Sequence, residues 1–185
     1  GAINQYNDCP GGSGTDYPDK YWYYIPAGLS NVSVTIQTEI PIAAFNLCSM
    51  IETITLSEHV NTIGAYAFQN CTSLSRLNSN VDGEFNIPKT ITAINKYAFY
   101  SCSLASNIIL GNSVTLIDDY AFAMCSLVDR FNSNEITELM IPSSCQTIGA
   151  YSFKGMALIT NVVVNDEVES IGNAAFNGFN SLESI

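Results

Sequence analysis

The sequence predicts an α/β repeat solenoid, with one parallel β-sheet on a concave face and short helical or turn segments on the convex face. Three observations predict it. One phrase recurs along the chain: IGAYAFQNC from 63, INKYAFYSC from 94, IDDYAFAMC from 117, IGAYSFKGM from 148 and IGNAAFNGF from 171. The Phe of each phrase, with Phe45 ahead of them, stands at 45, 68, 99, 122, 153 and 176, so units of 23 and 31 residues alternate. A pair of apolar residues two apart precedes each Phe from Phe68 on, the signature of a short half-buried strand. A fixed period of this order means stacked units, none of which can bury its apolar face alone.

Residues 1–39 precede the clear array and read as an N-terminal capping segment. DCPGGSGTDYPDK is rich in Gly, Pro and Asp and reads as loop. YWYYI then alternates, with Tyr21, Tyr23 and Ile25 on one side and Trp22 and Tyr24 on the other. Those aromatics either cover the open core of the first coil or form a sugar-stacking platform, since aromatic faces suit pyranose rings. Asp8, Asp16 and Asp19 lack the dense spacing of a calcium loop.

Residues 40–185 are the array. The inward strand pairs are Ile54/Leu56, Phe85/Ile87, Ile108/Leu110, Leu139/Ile141 and Val162/Val164. Five residues before each Phe stands an Ile: Ile40, Ile63, Ile94, Ile117, Ile148 and Ile171. Three after stand Cys48, Cys71, Cys102 and Cys125, then Met156 and Phe179. Cys145 occupies a column otherwise held by Val60, Ile91, Val114 and Val168. Five of the six cysteines therefore fill apolar columns and read as small buried hydrophobes rather than bridges or nucleophiles; only Cys9 lies outside the repeat. The stretch from the Ile to the Cys has spacing suited to a turn and a helical or 3₁₀ segment. The long units carry eight extra residues, beginning NSNVDGEF at 78 and NSNEITEL at 132.

Composition narrows the partners. Hydrophobic residues make up 47% and charged residues 12%, enough to build a core. The net charge of −11 argues against nucleic acid and against docking on anionic lipid. No apolar run approaches the roughly 18 residues of a membrane span.

The pattern I-P-x-x-V-x-x-I-x-x-x-A-F-x-x-C-x-x-L, best seen in IPKTITAINKYAFYSCSL and IPSSCQTIGAYSF, resembles the BspA-like leucine-rich repeat. The resemblance covers about residues 40–185, and the long units depart from its usual short period. It implies a leucine-rich-repeat solenoid in a microbial protein that is extracellular or attached to the cell surface. It further implies adhesion and binding rather than catalysis, and supplies no catalytic residues.

The residues themselves point the same way. The one histidine, His59, sits in a loop with no Cys or Ser motif as partner. No Cys and His spacing suits a metal, and GGSG lacks the Lys of a phosphate loop. We therefore expect no enzyme, no cofactor and no metal. A binding surface is expected on the outward strand positions, with Ile109, Met140 and Val163 as an apolar row and Asn107, Glu138 and Asn161 as its polar rim. The partner would be a protein, possibly a host or matrix protein, or a glycan; the rival is a structural spacer within a larger surface protein. Secondary candidates are Trp22, the extra segments at 78–85 and 132–139, and Arg76 and Arg130, the only arginines. An Arg fork suits a ligand carboxylate or phosphate; it equally suits a structural bond to the loop carbonyls or to Glu84 and Glu138. Tyr66, Tyr97, Tyr120 and Tyr151 read as packing along an outer face.

Overall fold

A computed structural model describes residues 29–35, 37–179 and 182. Cys9, Trp22 and the rest of the front-end aromatic run lie outside the described residues. Within them the chain winds through fourteen short strands. In chain order these are β1 (Asn31–Val34), β2 (Glu39–Ile40), β3 (Thr53–Leu56), β4 (Thr62–Ile63), β5 (Arg76–Leu77), β6 (Glu84–Asn86) and β7 (Ala93–Ile94). There follow β8 (Asn107–Ile109), β9 (Leu116–Ile117), β10 (Arg130–Phe131), β11 (Glu138–Met140), β12 (Thr147–Ile148), β13 (Asn161–Val163) and β14 (Ser170–Ile171). Every pairing between them is parallel.

The strands form two sheets, not the one expected. A long sheet of eight strands runs β1-β3-β5-β6-β8-β10-β11-β13, and a short sheet of six runs β2-β4-β7-β9-β12-β14. The short sheet is built on the Ile column. Its strands are two residues long, too short for the alternation that reveals a strand in sequence.

The third side of each coil corrects the expected helical segments: no described residue is helical. In the coil of Phe68, the N–H groups of Ala67, Gln69 and Cys71 donate back to the carbonyls of Gly64, Tyr66 and Phe68. The alternate N–H groups, of Tyr66, Phe68 and Asn70, donate to Lys96, Ala98 and Tyr100 in the next coil. A helix would send every N–H back four residues along its own chain. Left-handed residues at Tyr66 (φ 61°) and Asn70 (φ 58°) turn alternate N–H groups outward instead. The same pair recurs at Tyr97 and Ser101, Tyr120 and Met124, and Tyr151 and Gly155. A left-handed non-glycine residue costs on the order of 1–3 kcal/mol unless its surroundings enforce it; here the bonds to the next coil do.

The long units are explained by the long sheet. Arg76–Leu77 and Arg130–Phe131 are additional strands, so each long unit lays two rungs where a short unit lays one. Leu77 pairs with Phe85, and Phe131 with Leu139, so each extra rung contributes one more buried side chain to the same inward column. Two more rungs make this side of the stack about 10 Å longer than the other two, at roughly 4.8 Å per strand.

The core runs the length of the stack. Phe45, Phe68, Phe99, Phe122, Phe153 and Phe176 stack face to face with centroids 5.1–6.1 Å apart. Phe131 meets Phe122 and Phe153 edge-on at 5.0 and 5.1 Å. The first five rings of the stack are buried; Phe176, in the last described coil, is half-buried. Gly64 is required by close approach, because a Cβ there would lie 2.5 Å from the backbone N of Ile42 in the coil before.

Cys48, Cys71, Cys102, Cys125 and Cys145 are free and buried, as their columns predict. Three of them repeat one bond: the thiols of Cys71, Cys102 and Cys125 donate to the carbonyls of Phe45, Phe68 and Phe99 in the preceding coil at 3.0–3.2 Å. In these coils a thiol is small and apolar enough for the core and still a weak donor to that carbonyl, whereas Met156 fills the same column by packing alone. Burial pushes the Cys125 thiol up to about 12, and Cys102 is raised for the same cause.

Two predictions follow from this core. Phe99→Ala, which opens the middle of the ring stack, should cost about 3–5 kcal/mol, measured by denaturant unfolding. The raised thiols stay protonated in the fold and ionise once unfolded. Stability is therefore full below the ordinary thiol value of 9 and falls as pH climbs toward 12, by up to about 1.4 kcal/mol per pH unit for Cys125. Unfolding midpoints across that range should decline more slowly in Cys125→Ala than in the parent.

Candidate functional site

Strand alternation sends two columns of side chains outward from the long sheet. One runs Thr53, Arg76, Glu84, Asn107, Arg130, Glu138, Asn161. Its neighbour runs Ser33, Thr55, Asn86, Ile109, Met140, Val163. Ile109, Met140 and Val163 are all exposed, at 39, 37 and 38%. Met140 pairs directly with Val163. Ile109 does not neighbour Met140: β10 runs between them and ends at Phe131, leaving Asn132 at the intervening place. The apolar row is thus an Ile, an Asn, then a Met–Val pair, about 14 Å long rather than the roughly 10 Å of three adjacent strands.

The rim residues are bonded to one another. Asn161 Nδ2 donates to Glu138 Oε2 at 2.7 Å, and Ser133 Oγ to Glu138 Oε1 at 2.6 Å. Glu84 repeats the arrangement, accepting from Ser79 Oγ at 2.8 Å and Asn86 Nδ2 at 2.9 Å. Asn107 is only 9% exposed although it points outward, and its Oδ1 is buried without a hydrogen-bond partner.

Arg76 and Arg130 do not pair with Glu84 and Glu138. Arg76 Nε lies 3.5 Å from Asp82 and donates to Thr53 Oγ1 at 3.1 Å; Arg130 Nε lies 3.4 Å from Asp129. Both pairs are partly exposed and contribute at most about 1 kcal/mol each. The glutamates are held by Ser and Asn instead, so the Arg-x-Asn-Ser-Asn phrase shared by 76–80 and 130–134 works through its polar neutral residues.

Asn78 shows how. It ends β5 in a left-handed conformation (φ 51°), as Asn132 does after β10 (φ 54°). Asn tolerates that conformation better than most residues. The chain leaves the sheet here, but the side-chain amide fills the place the backbone vacates. Asn78 Oδ1 accepts from the Leu56 N–H at 2.6 Å, and Nδ2 donates to the Asn86 carbonyl at 3.1 Å. Asn132 Oδ1 likewise accepts from the Leu110 N–H at 3.3 Å. The residues that follow arch over the outward face, where Ser79 and Ser133 hold Glu84 and Glu138 and Asp82 meets Arg76. Val81 in the first arch and Ile136 in the second are 59 and 67% exposed.

A second exposed apolar row was not anticipated: Leu104, Leu127 and Leu158, five residues after each Phe, on consecutive coils. The signal was present in CSL, CSL and MAL, but the buried residue just after each Leu disguises it as core. The tyrosine column is half-buried and stacked, with Tyr66, Tyr97, Tyr120 and Tyr151 at 4.7–5.1 Å and Lys154 above Tyr151. Its faces are covered by neighbouring rings. His59 is exposed. Among the described residues no three His, Cys, Asp or Glu gather as a metal site, and no helix is long and apolar enough to cross a membrane.

This architecture matches known proteins. A family profile described as BspA type leucine rich repeat region matches residues 83–132 and 128–185, with six copies. A leucine-rich repeat protein from Bacteroides ovatus is similar at TM-score 0.67 and 25% identity, over 84% of this chain and 41% of its own. The leucine-rich repeat protein of T. pallidum is similar in fold at TM-score 0.61 and 21% identity, over 83% of this chain and 78% of its own. The chain thus spans about two fifths of the length of the Bacteroides protein. No curated protein matches the sequence.

The amide bridge at the first arch gives a test. Asn78→Ala leaves the Leu56 N–H and the Asn86 carbonyl without their partner and should lose about 1–3 kcal/mol in denaturant unfolding. Asn78→Gly keeps the backbone conformation; if it restores full stability, backbone conformation rather than the amide bonds is what matters there.

Proposed function

The chain belongs to the BspA-type leucine-rich repeat family, and from that premise we propose that it is a binding and adhesion module that recognises a protein partner through the outward face of its long sheet, outside the cell. The family is one of repeat scaffolds that typically bind proteins and are generally non-catalytic. The observation that carries the choice of face is the Met140–Val163 pair, with Ile109 beyond Asn132, exposed in a surface otherwise made of bonded polar side chains. An apolar centre inside a polar rim is the anatomy of an interaction surface. Asn161, Glu138 and Asn107 supply the rim; Asn161 donates to Glu138 and Asn107 to Glu84, and these bonds hold it in one arrangement before a partner arrives. That preorganisation lowers the entropy lost on association. The excess of 17 acidic over 6 basic residues favours a neutral or basic partner.

Met140→Glu tests the reading. Immobilised extracellular-matrix and cell-surface proteins are probed with parent and variant. The parent should bind a subset and the variant should bind it at least about tenfold more weakly, a loss of about 1.4 kcal/mol. Its thermal midpoint should be nearly unchanged, because Met140 points away from the core. Equal binding by both proteins rejects the face.

A further inference from the structure

The two arches have a consequence for what the face can hold. In the long sheet they sit over β5–β6 and β10–β11, and β8 runs between them. Their centres are three strand spacings apart, about 14 Å. The outward side chains of β8, Asn107 and Ile109, lie on the floor between the two arches, which carry the exposed Val81 and Ile136. Resting on the reading that this face is the binding surface, we infer that the arches and β8 form a groove for one extended peptide segment in which basic residues flank an apolar anchor.

Three observations select that occupant. The first is size. The inner strands of the two walls, β6 and β10, lie two spacings apart, about 10 Å between centres, which leaves room for the roughly 5 Å of one extended backbone but not for a helix about 10–12 Å across. The second is charge. Glu84 on one side, Glu135 and Glu138 on the other, carry no ion pair among the described residues, while both arginines of the face are already engaged with Asp82 and Asp129. A segment entering the groove meets uncompensated carboxylates, so Lys or Arg is favoured and Asp or Glu is repelled. The third is the floor. Ile109, 39% exposed at the outward position of β8, offers apolar contact to the anchor.

The test uses a fluorescein-labelled short peptide of alternating Lys and Leu, with the Glu and Leu counterpart as control, read by fluorescence anisotropy. The Lys peptide should bind saturably and more weakly as salt rises, and the Glu peptide should not bind. Ile136→Lys, at a site 67% exposed and so harmless to folding, should weaken binding at least about tenfold. Ile171→Lys adds the same charge on the short sheet, 49% exposed, and should change it little. If the Lys peptide does not bind, or Ile136→Lys and Ile171→Lys weaken it equally, the groove is rejected. A matrix or cell-surface protein that loses affinity with Met140→Glu but keeps it with Ile136→Lys leaves the face standing and rejects the groove. One that is indifferent to both variants rejects both.

Discussion

The rest of the structure depends on a sideways hydrogen bond: alternate N–H groups in the turn of one coil donate to carbonyls of the next. Phe68 to Ala98, Phe99 to Ala121, Phe122 to Ser152 and Phe153 to Ala175 are one line of it. These bonds fix the rise between coils on the one side that has no sheet. Once the rise is fixed at a strand spacing, identical residues in successive coils must touch. Aromatic rings then stack on their own kind, as the Phe and Tyr columns do. A thiol three residues after a Phe reaches the carbonyl of the preceding Phe. The bond also accounts for the left-handed tyrosines. Only a backbone that alternates its N–H directions can bond to itself and to its neighbour at once, and that alternation needs a left-handed residue at two places per coil.

The inward half of this architecture was legible from the repeat. The Phe, Ile and Cys columns and the inward strand pairs are buried where their spacing puts them, apart from the last coil. Burial imposes a period, and a period is what a sequence displays. The helical segments were misread because a turn closed by alternate local bonds shares its apolar spacing with a short helix; the difference lies in the sign of φ at Tyr66 and its counterparts, and tyrosine gives no hint of it. The extra strands were misread for a different reason. Arg76–Leu77 and Arg130–Phe131 are two residues long, and Leu77 and Phe131 fall outside the common frame of the units. Of the outward face, the exposure of Ile109, Met140 and Val163 was legible from alternation, whereas Asn132 between them was not, because the extra rung that places it there was not.

Unequal rung counts also bear on shape. Eight rungs on the long sheet against six on the short one cannot both keep the strand spacing in a straight stack. Two rungs of the long sheet therefore have no counterpart on the other sides of their coils, and the loops that leave those rungs are what the outward face carries beyond its ladder.

The same asymmetry explains why the polar ladder is bonded as it is. A side chain that faces solvent on a flat parallel sheet has like neighbours above and below, and a column of identical carboxylates would repel itself. Here Glu84 and Glu138 alternate with Asn and Arg along the column, and each glutamate is clamped by a serine from the arch above it. The second arch carries a further constraint. Thr137 is left-handed (φ 64°) where the first arch has Gly83 (φ 80°), a conformation that a β-branched residue adopts only under compulsion. Its carbonyl accepts the N–H groups of Thr160 and Asn161 in the following coil, at 2.8 and 3.1 Å, just as that of Gly83 accepts those of Ser106 and Asn107. The compulsion is therefore the entry of the next strand into the long sheet. The base of each arch is thus set by the strand that follows it in the sheet, and the residue at that base takes the left-handed conformation whether it is Gly or Thr.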